Sequence, residues 1–139
     1  MAIDNNVTVS GNLVADPELR YTNNGATICG LRMAVNRRWM KNGEWEEETS
    51  YFDVTAWSQL AENCAASLTK GMRVNVSGRL EEQRWEDKET GDPRRKVVII
   101  ADEVSPSLRW ATGSITKQMG KSGSGSGPKQ DFDNNEPPF

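Results

Sequence analysis

Tyr51, Trp57 and Trp85 each stand at a polar position of an alternating stretch, where a large ring has no core to enter. From Gly71 to Ala101 the chain first places Met72, Val74, Val76 and Leu80 on one parity and Arg73, Asn75, Ser77 and Arg79 on the other. A period of two is the pleat of a half-buried strand. Counting on along the polar parity reaches Trp85, unless a bulge at Gly78 resets the count. From Thr49 to Trp57 the apolar set is Phe52, Val54 and Ala56, and the opposite set is Tyr51, Asp53, Thr55 and Trp57. Rings displayed on such a face are stacking platforms for unpaired bases, each worth roughly 1–3 kcal/mol and tolerant of any base. Arg37, Arg38, Lys70, Arg73, Arg79 and Arg84 are the cations that would meet phosphates. A fourth ring, Trp39, falls on the inward parity of its own strand. The bland alternative, edge-of-core rings and solvated cations, holds for any one residue. Three displayed rings on two strands favour stacking.

Other chemistries find no residues. The 139-residue chain has no histidine and two cysteines, which excludes histidine catalysis and a structural zinc site built by the cysteines alone. Glu46, Glu47 and Glu48, like Glu81 and Glu82, are acids on hairpin tips, without the shaped pocket that proton transfer requires. Gly120-Lys121-Ser122 imitates the end of a phosphate-binding loop, but position 115, where that motif needs glycine, is Ile115. No enzyme, metal or cofactor is expected. A formal charge of −3 argues against a strongly basic duplex binder yet leaves single strands open. No long apolar run or leader-like segment is present, so no membrane association and a cytoplasmic, reducing setting are expected. Cys29 and Cys64 sit on core parities and read as small buried apolar residues.

The elements that must position these residues follow in order. A first strand spans Asn6 to Leu13, with Val7, Val9 and Leu13 inward. Asp16-Pro17 and Asn23-Asn24-Gly25 are turn signals. A second strand runs from Thr27 to Asn36, with Cys29, Leu31, Met33 and Val35 inward, and is expected to bend or end before Trp39. Asn42-Gly43 forms the turn into the third strand, Thr49 to Trp57. Ser58 is expected to cap a helix from Gln59 to Lys70 whose core stripe is Leu60, Cys64 and Leu68. Gly71 is expected to end it at C′, with Lys70 at the negative end. The fourth and fifth strands are the arms of the Gly71–Ala101 hairpin, turning at Gly91-Asp92-Pro93. Val97, Val98, Ile99 and Ile100 are apolar on both parities, which calls for a cover from a partner subunit. A short extra strand is expected after Asp102. Five strands with one helix between the third and fourth spell an all-β oligonucleotide-binding barrel, with an extra C-terminal strand and a disordered tail.

Domain organisation is read as a binding domain over 1–116, a flexible Gly/Ser linker over 117–130 and an acidic tip over 131–139. The tip is either a solubilising appendage or a peptide ligand anchored by Phe132 and Phe139.

The chain resembles the bacterial single-stranded DNA-binding proteins. Val9-Ser10-Gly11-Asn12-Leu13, Asp16-Pro17-Glu18-Leu19-Arg20-Tyr21, Leu60-Ala61-Glu62, Lys70-Gly71, Val76-Ser77-Gly78-Arg79-Leu80 and the acidic tail ending in Pro138-Phe139 carry the likeness. Asp102 to Ala111 looks like the actinobacterial branch, in which a further C-terminal strand clasps the neighbouring subunit. The resemblance implies a homotetramer that wraps single-stranded DNA in replication, recombination and repair, in the cytoplasm and on the nucleoid. It implies stacking at Trp39, Tyr51, Trp57 and Trp85. It also implies recruitment of replication and repair proteins by Asp131, Phe132, Asp133, Glu136, Pro137, Pro138 and Phe139. Tyr51 stands where the best-known members have tryptophan, and Asp53, Gln59 and Gln83 stand where they carry cations. The alternative from another class is an oligomeric adaptor that presents tails and binds nucleic acid weakly.

Overall fold

In a computed structural model the described residues are 4–118. Six strands and one helix follow in the order β1 (Val7–Leu13), β2 (Glu18–Tyr21), β3 (Thr27–Lys41), β4 (Glu44–Trp57), α1 (Ser58–Ser67), β5 (Arg73–Glu86) and β6 (Pro93–Pro106). The sheet runs β1-β5-β6-β4-β3-β2, and a second pairing of β1 with β3, Asn12 to Ala34 and Leu13 to Met33, closes it into a barrel. The closed ring is therefore β1, β5, β6, β4 and β3, with α1 between its third and fourth strands in chain order. This is the expected oligonucleotide-binding architecture.

The alternation places the core. Leu13, Cys29, Leu31, Met33, Val54, Ala56, Val74, Val76, Ile99 and Ala101 line the interior, joined by Ala61, Cys64 and Leu68 from the helical side. Both thiols are buried and free. Burial, then the charge of Cys29, pushes the Cys64 thiol up to about 11, and burial, then Glu18, raises Cys29. Neither is a thiolate at neutral pH.

The irregularity expected at Gly78 lies across the ladder from it. Ser77 pairs with Glu103 and Gly78 with Ala101, so Asp102 of β6 is the unpaired extra residue. The parity of β5 runs on unbroken to Trp85. The parity of β6 flips, so that Ala101 and Val104 both pack on the core. Gly78 is required at this crossing because a Cβ there would sit 2.0 Å from the Ile100 carbonyl oxygen.

Several expectations are corrected. The second strand neither bends nor ends before Trp39: β3 and β4 stay paired to Lys41 and Glu44, and Asn42 (φ 51°) and Gly43 (φ 82°) form the tip. Each strand pairs with the other to the tip, and the outer part of this hairpin clears the barrel as a two-stranded ribbon whose outward backbone groups face solvent. β2 was unexpected; its four residues pair antiparallel with Thr27–Gly30 along the edge of β3. Ser58 is not the cap. Trp57 occupies that position without a side-chain hydrogen bond, and Ser58 is the first helical residue at φ 61°.

The helix ends at Ser67, not Lys70, because Leu68 turns extended and buries its side chain in the core. Gly71 (φ 92°) instead donates its N–H to the Leu13 carbonyl at 2.8 Å, tying the β5 entry to β1. Phe52, assigned to the core, is 37% exposed because β4 is leaving the barrel there.

Val98, Ile99 and Ile100 need no partner subunit to cover them. β6 is an interior strand of the sheet between β5 and β4, and all three are buried within one chain, leaving only Val97 exposed. Among the described residues the strand outside the closed ring is β2, and those beyond Pro106 form no strand. The linker and tip assignments lie outside the described residues.

Candidate nucleic-acid interface

The outer face of the barrel is fixed by register. Ile28 opposes Trp57, Arg32 opposes Asp53, Ala34 opposes Tyr51, and Trp85 opposes Arg94. Directly opposed residues share a face, so Tyr51, Trp57 and Trp85 all point away from the core. Their exposures of 54%, 44% and 49% leave each ring open to solvent. Trp85 and Arg94 also line a cleft of about 580 Å³ with Arg84, Glu86, Pro93 and Arg95.

Between the rings lies a charge relay built on Asp53. Its carboxylate accepts from Arg32 at 3.0 Å and from Lys96 at 3.1 Å. Burial alone would raise this carboxyl, but the bonds from Lys96 and Arg32 outweigh it and hold Asp53 below the usual carboxylate range. The Arg32 guanidinium also lies over Tyr51, 5.2 Å from the ring centroid. Asp53 thus carries no cation itself but fixes two of them beside a stacking ring.

The other sequence-predicted residues separate into three groups. Arg79 shares the outer face of β5 with Trp85 and pairs with Glu81 at 3.4 Å. Arg38 shares the face of Tyr51 and lies 4.8 Å from the ring of Trp45. Trp39, Arg37 and Arg84 belong to the opposite parity. Arg37 is ion-paired to Glu48 with its guanidinium 5.0 Å from the Trp39 ring, and Arg84 binds Glu82 at 2.7 Å. Those side chains are reachable because both long hairpins project past the core; Trp39 is 37% exposed.

Lys70 and Arg73 lie far from Trp85, and the register instead sets Arg73 in one row with Asn12, Ala34 and Tyr51. Arg73 starts β5, twelve residues or roughly 40 Å of strand from Trp85. Its guanidinium lies 5.2 Å from Trp110, which Arg109 also flanks at 4.6 Å. Lys70 sits in the loop before it, its N–H donating to Asp16 at 2.8 Å.

Sequence reasoning left Trp45, Arg32 and Lys96 out of the interface. Trp45 has the parity of Tyr51 and is exposed; starting the third strand at Thr49 hid that signal. Arg32 and Lys96 were legible only through their shared partner, which pairing across three strands reveals. Among the described residues no group of acids and cysteines could hold a metal ion, and no helix is long and apolar enough to cross a membrane.

Comparison with known proteins agrees with this geometry. The sequence pattern of the Single-strand binding protein family matches residues 4–107. The chain is 42% identical over 132 residues to the single-stranded DNA-binding protein of Mycobacterium tuberculosis, covering 93% of this chain and 80% of that one. It is 46% identical over 121 residues to that of Corynebacterium glutamicum, covering 84% of this chain and 53% of the relative. A crystal structure of a deletion mutant of the single-stranded DNA binding protein from Thermus aquaticus superposes with a TM-score of 0.68 at 31% identity, over 76% of this chain and 51% of that one. The chain therefore spans about half the length of the last two. With barrel, register and sequence in agreement, this chain belongs to the single-strand binding protein family.

Proposed function

We propose that the chain is a non-enzymatic protein that binds single-stranded DNA without sequence preference and coats it during replication, recombination and repair. The observation that carries this is the set of three solvent-open rings, Tyr51, Trp57 and Trp85, on one outer sheet face. Bases stack on the rings while phosphates run along the adjacent cations. Most of those cations already hold a carboxylate: Arg32 and Lys96 hold Asp53, Arg79 holds Glu81, and Arg94 holds Asp87. A phosphate that displaces a carboxylate releases fewer counterions than one meeting a free arginine, so the salt dependence should be shallow for the number of cations present. Homotetramer formation, a cytoplasmic, nucleoid-associated location and recruitment of replication and repair proteins through Asp131–Phe139 complete the proposal. Titration with oligothymidine at several salt concentrations, read by tryptophan fluorescence, tests it. Strong quenching is expected, and an unchanged spectrum at micromolar protein would refute it. For the tip, Phe139→Ala should abolish most capture of a replication or repair partner without altering net charge, as measured by pull-down against the parent.

A further inference from the structure

We propose that Arg20 of β2 is a phosphate-binding residue that extends the single-strand path past Trp57 to the edge of the sheet. This rests on the stacking function proposed above. The register places Arg20 opposite Ile28, and Ile28 opposite Trp57, so the three form one row across β2, β3 and β4. The neighbouring row, Leu19, Cys29 and Ala56, faces the core, which fixes Arg20, Ile28 and Trp57 on the outer face. Two strand spacings, about 10 Å, separate the backbones of Arg20 and Trp57. Ile28 between them is a half-buried apolar floor.

Arg20 differs from its neighbours on this face in its partners. Arg32, Lys96, Arg79 and Arg94 are each bound to a carboxylate. Among the described residues Arg20 has no ion-pair partner and is exposed. The nearest acid on its strand and face is Glu18, opposite Gly30. A phosphate would therefore meet Arg20 from the other side, toward the Thr22–Ala26 turn. A phosphate neutralised by an unpaired guanidinium releases its condensed counterions outright, whereas at the paired neighbours the displaced carboxylate takes up part of that release. The sheet edge would then contribute more to the salt slope than its single charge suggests beside four paired cations.

The experiment is a salt series of oligothymidine titrations on the full chain, comparing the parent, Arg20→Ala, Arg20→Lys and Trp57→Ala. Arg20→Ala should flatten the slope of log K against log salt by about 0.7, so that affinity falls about threefold less between 50 and 200 mM salt. Arg20→Lys should restore the parental slope, because the charge and not the packing is at issue. Circular dichroism of Arg20→Ala should match the parent. If Arg20→Ala keeps the parental slope while Trp57→Ala binds weakly, the strand does not reach β2 and the inference is overturned with the stacking face intact. If Trp57→Ala binds like the parent, the stacking reading falls first, and this inference with it.

Discussion

The inner and outer halves of the β3–β4 hairpin obey one alternation with opposite results. Near the barrel, Cys29, Leu31 and Met33 face Ala56, Val54 and Phe52 across the ladder, and all but Phe52 are buried. Past Val35 and Ser50 the same parity carries Arg37, Trp39, Glu46 and Glu48, which the described residues leave exposed. Alternation assigns a side chain to a face; burial depends on whether another layer meets that face. In the tip the chain replaces a core with local pairs, Arg37 on Trp39 and Arg38 on Trp45. Such pairs hold rings in place without hiding them, each worth about 0.5–1 kcal/mol when exposed.

If the halves differ in this way, stability and binding should separate along the hairpin. Met33→Ala removes a fully buried side chain and should lower unfolding free energy by about 2–5 kcal/mol in a urea titration. A loss under 1 kcal/mol would mean that the barrel interior collapses around the cavity.

The interior should also be sensitive to alkali. The folded pKa of Cys64 lies above its ordinary 9.0, at about 11. Its contribution is therefore complete below pH 9 and lost as pH rises through about 11, approaching about 3 kcal/mol. Cys64→Ala should reduce that alkaline loss relative to the parent. Equal pH profiles would show the thiol to be hydrated.

On the outer face the pattern should invert. Trp57→Ala and Trp85→Ala should each weaken oligothymidine binding by about 1–3 kcal/mol and leave urea midpoints within about 0.5 kcal/mol of the parent. Parental affinity in both variants would break the comparison. The smallest effect belongs to the tip. Trp45→Ala should cost under about 1 kcal/mol in affinity and only for oligonucleotides long enough to pass the barrel. An effect equal to that of Trp57→Ala on the shortest oligonucleotides would move the centre of the interface outward.

Legibility in the sequence followed the same division. Where a face meets a core, as at Val74 and Val76 or at Cys29 and Leu31, period two was sufficient, and Asn42-Gly43 announced its turn. The helix boundary was misread because Ser58 and Gly71 are good local signals, while the long-range demand for Leu68 in the core set the end. Val98 to Ile100 were misread because apolarity on both parities was taken to need a second subunit, whereas only Val97 is left open by one chain. An interior strand supplies much of that cover through its own neighbours. Arg32, Asp53 and Lys96 form a relay across β3, β4 and β6 that no local spacing encodes.

Asp102 shows that this fold depends on contour length as well as on composition. Its neighbours would remain in register if it were excised: Gly78 would still meet Ala101, and Ser77 would still meet Glu103. What disappears is slack on one side of a rolling sheet, because a bulged strand bends and twists more than its partner. The barrel would have to straighten where Gly78 passes the Ile100 carbonyl. Asp102→Ala should therefore be nearly silent, whereas deletion of the same residue should loosen the closure between β1 and β3, seen as faster amide exchange at Leu13 and Met33. At this point a missing residue and a changed residue are different kinds of mutation.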